Sequence, residues 1–199
     1  MTEQAKTDLI RQVMGASHIL CSTVTEIMER TLDDVHEEQL ALSQFKLLLL
    51  IGRAGHRFKV SDVAAFLDVT NAAASRSTDR LVQRGLVDRS VSKEDRRAVD
   101  LSLTPAGRAL VDRFAEANDA LLEKALGGYS EQRLREVKEL IDELSTSLLD
   151  VEEARWKKCL RCGVHFHSGC VMRDLMGENC AFADRLYGDM NPPEHAAST

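Results

Sequence analysis

Apolar side chains recur through residues 5–32 at Leu9, Val13, Ala16, Leu20, Val24 and Ile27, in steps of three or four. That spacing lines one face of a helix, and no proline interrupts it. Asp33, Asp34, Glu37 and Glu38 then form a polar break. A second helix is predicted over Gln44–Arg53 with Ser43 as its N-cap. Its apolar core, Phe45 and Leu47 to Ile51, covers most of its circumference, as expected of a buried helix. Ser61 is read as the cap of a short third helix, Asp62–Leu67. Thr70 caps a fourth, Asn71–Arg84, which Gly85 closes.

The period then changes from helical to two. Leu86 to Val91 reads as one strand, and Val99, Leu101 and Leu103, alternating with Asp100 and Ser102, as its partner. The segment between them, Ser92–Arg97, is the tip of the hairpin. Thr104-Pro-Ala-Gly107 reads as a helix start, with Thr as cap and Pro at the first helical position. Leu110, Phe114, Ala117 and Leu121 give that helix its apolar face, and Gly127-Gly128 ends it. Ser130 caps a last long helix with a heptad-like stripe, Leu134, Val137, Ile141, Leu144, Leu148 and Val151. Such a stripe on an otherwise charged helix calls for a partner helix. The fold class is therefore mainly α with a small β-wing: a winged helix-turn-helix between long N- and C-terminal dimerisation helices. Five segments follow. Residues 1–42 hold the first dimerisation helix, 43–107 the DNA-binding head, 108–158 the C-terminal dimerisation helices, 159–190 a cysteine-rich extension, and 191–199 a disordered tail.

The order of helix, arginine-bearing helix and basic-tipped hairpin is what a winged helix needs to enter the major groove and touch the flanking backbone. A formal net charge of −6 over 199 residues does not oppose this, because binding depends on where the charges lie. Between Asn71 and Arg97, the seven cations Arg76, Arg80, Arg84, Arg89, Lys93, Arg96 and Arg97 outnumber the four anions Asp79, Asp88, Glu94 and Asp95. A basic face on an acidic body results. Read singly, the helix arginines fit solvation of an exposed face and contact with DNA equally well; the hairpin attached to them favours DNA. The longest apolar run, Leu47–Ile51, is far too short to span a bilayer. The polar N-terminus holds no signal-peptide core, so no membrane association and a cytoplasmic location are expected.

Residues 43–107 resemble the MarR family of bacterial regulators. The resemblance rests on Ser75-Arg76 and Asp79-Arg80-Leu81, then Arg84-Gly85-Leu86-Val87, then Glu94-Asp95-Arg96-Arg97, then Leu103-Thr104-Pro-Ala-Gly107, in that order and spacing. The flanking helices fit as well, extending it to about residues 5–155. The resemblance implies a two-fold homodimer in which the first, fifth and sixth helices of both subunits interlock. It also implies that Asp95 braces its neighbouring arginine. Two departures stand out. Ser77 and Thr78 replace the small apolar residues usual in the recognition helix, which bears on packing or on base contacts. The tail from Arg155 onward extends past the usual end.

A two-fold dimer would bind a pseudo-palindrome in double-stranded DNA with half-sites about one helical turn apart. Asn71, Ala72 and Ala73 occupy the first turn of the fourth helix, which faces base edges. Asn71 can pair with adenine and Arg76 with guanine. Ser75 would contact phosphate or base, and Arg80 belongs to the same face. Lys93, Arg96 and Arg97 would reach the minor groove or its phosphates.

Four of the five cysteines lie in the tail as Cys159, Cys162, Cys170 and Cys180, spaced C-x2-C-x7-C-x9-C, with His165 and His167 among them. In a cytosolic protein that spacing suggests a metal rather than disulfides. Cys159-Leu-Arg-Cys162-Gly163 looks like a zinc knuckle. Four thiolates suit tetrahedral zinc and a 4Fe-4S cluster equally, and His167 offers a substitute ligand. Free, redox-active thiols are the alternative. Cys21, beside Leu20 and Val24, reads as a buried packing residue. The tail lacks a His-x-Glu or His-Glu-x-x-His pattern, and the chain has no Gly-rich phosphate loop, so an enzyme is disfavoured. The expected function is DNA-binding regulation, as a repressor, with affinity set by a small-molecule effector or by the state of the cysteine site. The competing readings are zinc as a purely structural element, and a metal-dependent enzyme.

Overall fold

The structure, a computed structural model, describes residues 2–54, 58–67, 69–91 and 99–149. The first helix, α1 (Glu3–Val35), is capped by the Thr2 hydroxyl, which accepts the Ala5 N–H at 3.4 Å. It is longer than its apolar stripe predicted. Only Met28, Thr31 and Leu32, near its C-terminal end, are buried. There α1 lies against the fifth helix, α5 (Pro105–Leu126), and Arg113 of α5 donates to the Val35 carbonyl at 3.5 Å. A cation at the last carbonyls of a helix also meets the negative end of its dipole.

The second helix, α2 (Leu42–Ala54), is the centre of the core: Phe45, Leu47, Leu48, Leu50 and Ile51 are all essentially inaccessible to solvent. It begins earlier than expected. The Ala41 carbonyl accepts the N–H groups of Gln44 and Phe45, which places Ser43 inside the first turn rather than at the cap. A two-residue strand, β1 (Phe58–Lys59), then leads into α3 (Val60–Leu67). Ser61 is again inside the helix. The orphan donor at this start is met from within the helix, by the Asp62 carboxylate reaching back to the Lys59 N–H at 2.9 Å.

The fourth helix, α4 (Asn71–Gln83), has the predicted cap: the Thr70 hydroxyl accepts the Ala73 N–H at 3.3 Å. Its end is a Schellman turn. Gly85 takes φ +69°, its N–H bonds the Val82 carbonyl, and the Leu86 N–H bonds the Leu81 carbonyl. The strands β2 (Val87–Val91) and β3 (Val99–Leu103) pair antiparallel from Val87↔Leu103 to Val91↔Val99. Strand β1 adds to the other side of β3 through Phe58↔Leu101 and Lys59↔Asp100, giving the order β1-β3-β2. Two residues are too few to show a period, so nothing in the pattern announced β1.

Thr104 joins the wing to α5. Its hydroxyl accepts the Gly107 N–H at 3.0 Å and donates to the Gly85 carbonyl at 2.6 Å, while its own N–H reaches the Leu86 carbonyl. A Cβ on Gly107 would lie 2.1 Å from the Leu86 carbonyl oxygen, so this contact requires glycine. The start of α5 is thereby bonded directly to the end of α4. The last helix, α6 (Glu131–Leu149), starts at the expected Ser130 cap.

Candidate nucleic-acid interface

Helix α4 turns a narrow stripe inward: Ala74, Thr78 and Leu81 are fully buried. The Thr78 hydroxyl donates to the Ala74 carbonyl at 2.9 Å. The polar residue that departs from the family pattern is thus satisfied inside its own helix, and it faces the core rather than a base. The opposite side of α4 is open. Asn71, Ala72, Arg76, Arg80 and Arg84 are exposed, and Ala73, Ser75 and Ser77 are half-buried. Among the described residues none of the Arg76, Arg80 and Arg84 guanidinium groups makes an ion pair or hydrogen bond. Arg76, Arg80 and Arg84 are four residues apart, so they form one row along the helix. The N-terminus of α4, where Asn71 and Ala72 sit, presents the positive end of the helix dipole.

Arg89 behaves differently from the other cations of the predicted basic face. It projects from β2 onto the flank of α4. One terminal nitrogen pairs with the Asp79 carboxylate at 2.6 Å, and the other donates to the Ser75 carbonyl at 3.3 Å. In the sequence Arg89 reads as one more cation of the basic face. The available signal is that Arg89 shares a strand face with the apolar Val87, but which face of the hairpin meets α4 is a tertiary fact.

The remaining predicted contacts, Lys93, Arg96 and Arg97, belong to residues 92–98, outside the described residues, as does Asp95. The Val91↔Val99 pair places the two ends of that segment side by side at the tip of the hairpin. Cys159, Cys162, Cys170, Cys180 and His167 also lie outside the described residues. Among the described residues no cluster of three potential metal ligands occurs. Cys21 is exposed in the protomer, not buried. The reason is that its whole stripe is uncovered: Leu9, Val13, Leu20 and Val24 are 41–50% exposed. On α6, Leu134, Ile141 and Leu148 are similarly open, at 40–47%. Leu140, outside the predicted stripe, is 63% exposed and widens that apolar face. No helix among the described residues is long and apolar enough to cross a membrane.

A cleft of about 470 Å³ opens where α1 meets the start of α2. Glu29, Leu32 and Asp33 of α1 line it together with Gln39, Leu40, Leu42 and Gln44.

A three-stranded winged helix-turn-helix head set on long helices defines a class of DNA-binding regulators. The MarR family model matches residues 40–99. The HTH-type transcriptional regulator YpoP of Bacillus subtilis is 26% identical over 133 residues, covering 67% of this chain and 94% of YpoP. YfiV of the same organism, also an HTH-type transcriptional regulator, is 31% identical over 109 residues, covering 55% of this chain and 68% of YfiV. In structure, the chain is similar to Streptococcus pneumoniae FabT, solved in complex with DNA. The TM-score is 0.63 at 24% identity, covering 72% of this chain and 99% of FabT. The chain belongs to the MarR family of winged helix-turn-helix transcriptional regulators, which bind DNA and are not enzymes.

Proposed function

We propose that the protein acts as a homodimeric repressor on a pseudo-palindromic operator. Helix α4 reads bases through Asn71, Ala72, Ala73, Ser75 and Arg76, Arg80 holds phosphate, and Lys93, Arg96 and Arg97 at the wing tip contact the flanking groove. The observation that carries this reading is the row of unpaired guanidinium groups on the side of α4 opposite its buried stripe. A cation committed to nothing within the protein is free to serve a phosphate or a guanine edge. Repression follows from occupancy, since a dimer seated on a promoter excludes polymerase. The second copy is called for by the open apolar faces of α1 and α6, which supports the interlocked dimer.

Arg76→Ala tests base reading. It should cost about 1–3 kcal/mol on the selected operator and relax preference at one position. Arg97→Ala should instead weaken all duplexes alike and flatten the salt dependence. Fluorescence anisotropy with a duplex enriched from a random pool measures both, and unchanged affinity in the two variants rejects the interface.

Two devices would set the affinity. The cleft beside α2 has a size suited to a small ligand. Its lining combines two carboxylates, Glu29 and Asp33, with Leu32, Leu40 and Leu42, a chemistry that would favour a cationic effector with an apolar part. The C-terminal cysteines would hold zinc or a 4Fe-4S cluster beyond the last dimerising helix, where loss of the metal would change the spacing of the two heads. Such control requires different metal affinities in the two spacings. Cys162→Ser should lower both metal content and operator binding, measured by elemental analysis, an optical spectrum and anisotropy on one preparation. Full metal retention excludes Cys162 as a ligand. Lost metal with unchanged operator binding makes the site structural rather than sensory.

A further inference from the structure

We propose that Arg89 is a positioning residue for sequence recognition: it locks the rotation of α4 and ties the reading helix to the wing, without touching DNA itself. The inference rests on the DNA-binding reading above and adds to it the residue that orients the contacts. Helix α4 packs on α3 and on the core through Ala74, Thr78 and Leu81, with Val82 partly buried beside them. Arg89 adds a polar constraint from the flank, where no apolar side chain of the stripe reaches. Its two terminal nitrogens reach the Ser75 carbonyl and the Asp79 carboxylate, residues four apart and therefore one helical turn along the axis. The Ser75 carbonyl points along the axis toward Asp79, so the two acceptors sit side by side on one flank; a planar fork bound to both, one main-chain and one side-chain, restrains the helix in a way that a lysine ammonium on a single point does not.

Placement of the grip matters for function. Ser75 is the neighbour of Arg76, and Asp79 the neighbour of Arg80, so the clamp acts beside the two groups proposed to meet DNA. Bidentate base recognition tolerates little angular error. The Arg89 side chain is 30% exposed and that of Asp79 45%, so the pair contributes little as an ion pair alone. Its role is geometric. Both terminal nitrogens already have protein partners, which separates Arg89 from the unpaired row of Arg76, Arg80 and Arg84.

The test uses full-length protein, a duplex enriched from a random pool by the unaltered protein, and the same duplex with scrambled half-sites. Arg89→Ala, Arg89→Lys and Asp79→Asn are compared by anisotropy across a salt series, with circular dichroism and thermal melting as folding controls. Arg89→Ala should lose at least about tenfold on the enriched duplex and change little on the scrambled one. The slope of log affinity against log salt should be retained. Loss of a phosphate contact would lower that slope by about 0.9. Asp79→Asn is the sharper arm. It removes a negative charge near DNA, so a purely electrostatic role predicts tighter binding to every duplex, whereas a positioning role predicts lost selectivity. Arg89→Lys keeps the charge but not the fork and should fall with Arg89→Ala. In the double variant Asp79→Asn with Arg89→Ala, the loss should not exceed that of the single variants, because both break one clamp. Uniform weakening with a reduced slope would make Arg89 a phosphate contact and overturn the proposal. Undiminished selectivity in folded Arg89→Ala and Asp79→Asn would overturn it equally. If the unaltered protein enriches no duplex at all, the DNA-binding reading itself fails, a result distinct from either.

Discussion

Leu20→Asp will sediment as a monomer and lose most of its operator affinity while keeping its helical content. Leu20 is 48% exposed on the middle of the uncovered α1 stripe. Since that half of the side chain already meets water in the protomer, the substitution removes little from the protomer's own core. In the proposed two-fold dimer the same position would be buried in both subunits. Completing the burial of a half-exposed leucine contributes about 1 kcal/mol per subunit. Placing an unpaired carboxylate there costs several kcal/mol per subunit instead, enough to dissociate a dimer at micromolar concentration. The effect on DNA is larger than any single contact. Two linked heads bind with an effective concentration that adds about 10²–10⁴ to the affinity of one, and a monomer forfeits that factor. Sedimentation velocity and anisotropy on the same sample check the result. A Leu20→Asp protein that remains dimeric with full operator affinity would remove α1 from the interface.

Phe45→Ala should be the most destabilising single truncation in the head. Phe45 has no exposed surface, and its ring lies 4.4 Å from that of Phe114, centroid to centroid, at an interplanar angle of 49°. Tilted aromatic pairs at this separation add to the stability given by burial alone. Truncation of a fully buried phenylalanine costs about 3–5 kcal/mol, or about 6–20 °C in Tm for a chain of this size. Calorimetry against Val91→Ala, at a side chain 67% exposed, separates this loss from a general effect of substitution. Phe45 belongs to α2 in the head and Phe114 to α5, so their contact, with Thr104 and Gly107 against the Gly85-Leu86 turn, joins the head to the long helix that follows it. A Tm within about 2 °C of the unaltered protein would contradict the packing.

Helix starts were legible wherever a local hydrogen bond decides them. Thr70, Thr104 and Ser130 each accept an N–H three residues on, an interaction contained within four residues of chain. Ser43 and Ser61 carry the same signature and are not caps, because α2 and α3 begin earlier, at the partly buried Leu42 and Val60, with the Ala41 carbonyl and the Asp62 carboxylate meeting the N–H groups at those starts. Strand β1 is not legible for the related reason that its partner, β3, lies some forty residues later in the chain.

Local pattern was enough for the order of the six helices, the turn at Gly85, the hairpin and the row of arginines on α4. Each depends on periodicity or on a bond between near neighbours, so a single segment contains the needed information. Which charges are committed and which apolar faces are covered came from the packing of distant segments. Arg89 and Arg76 are both arginines in a basic stretch, yet one is tied to Asp79 and Ser75 and the other is unpaired. Leu20 and Leu48 are both leucines on predicted helices, yet one is 48% exposed and the other is fully buried. Pairing and burial are set by what the fold brings alongside a residue, and that neighbour is distant in sequence.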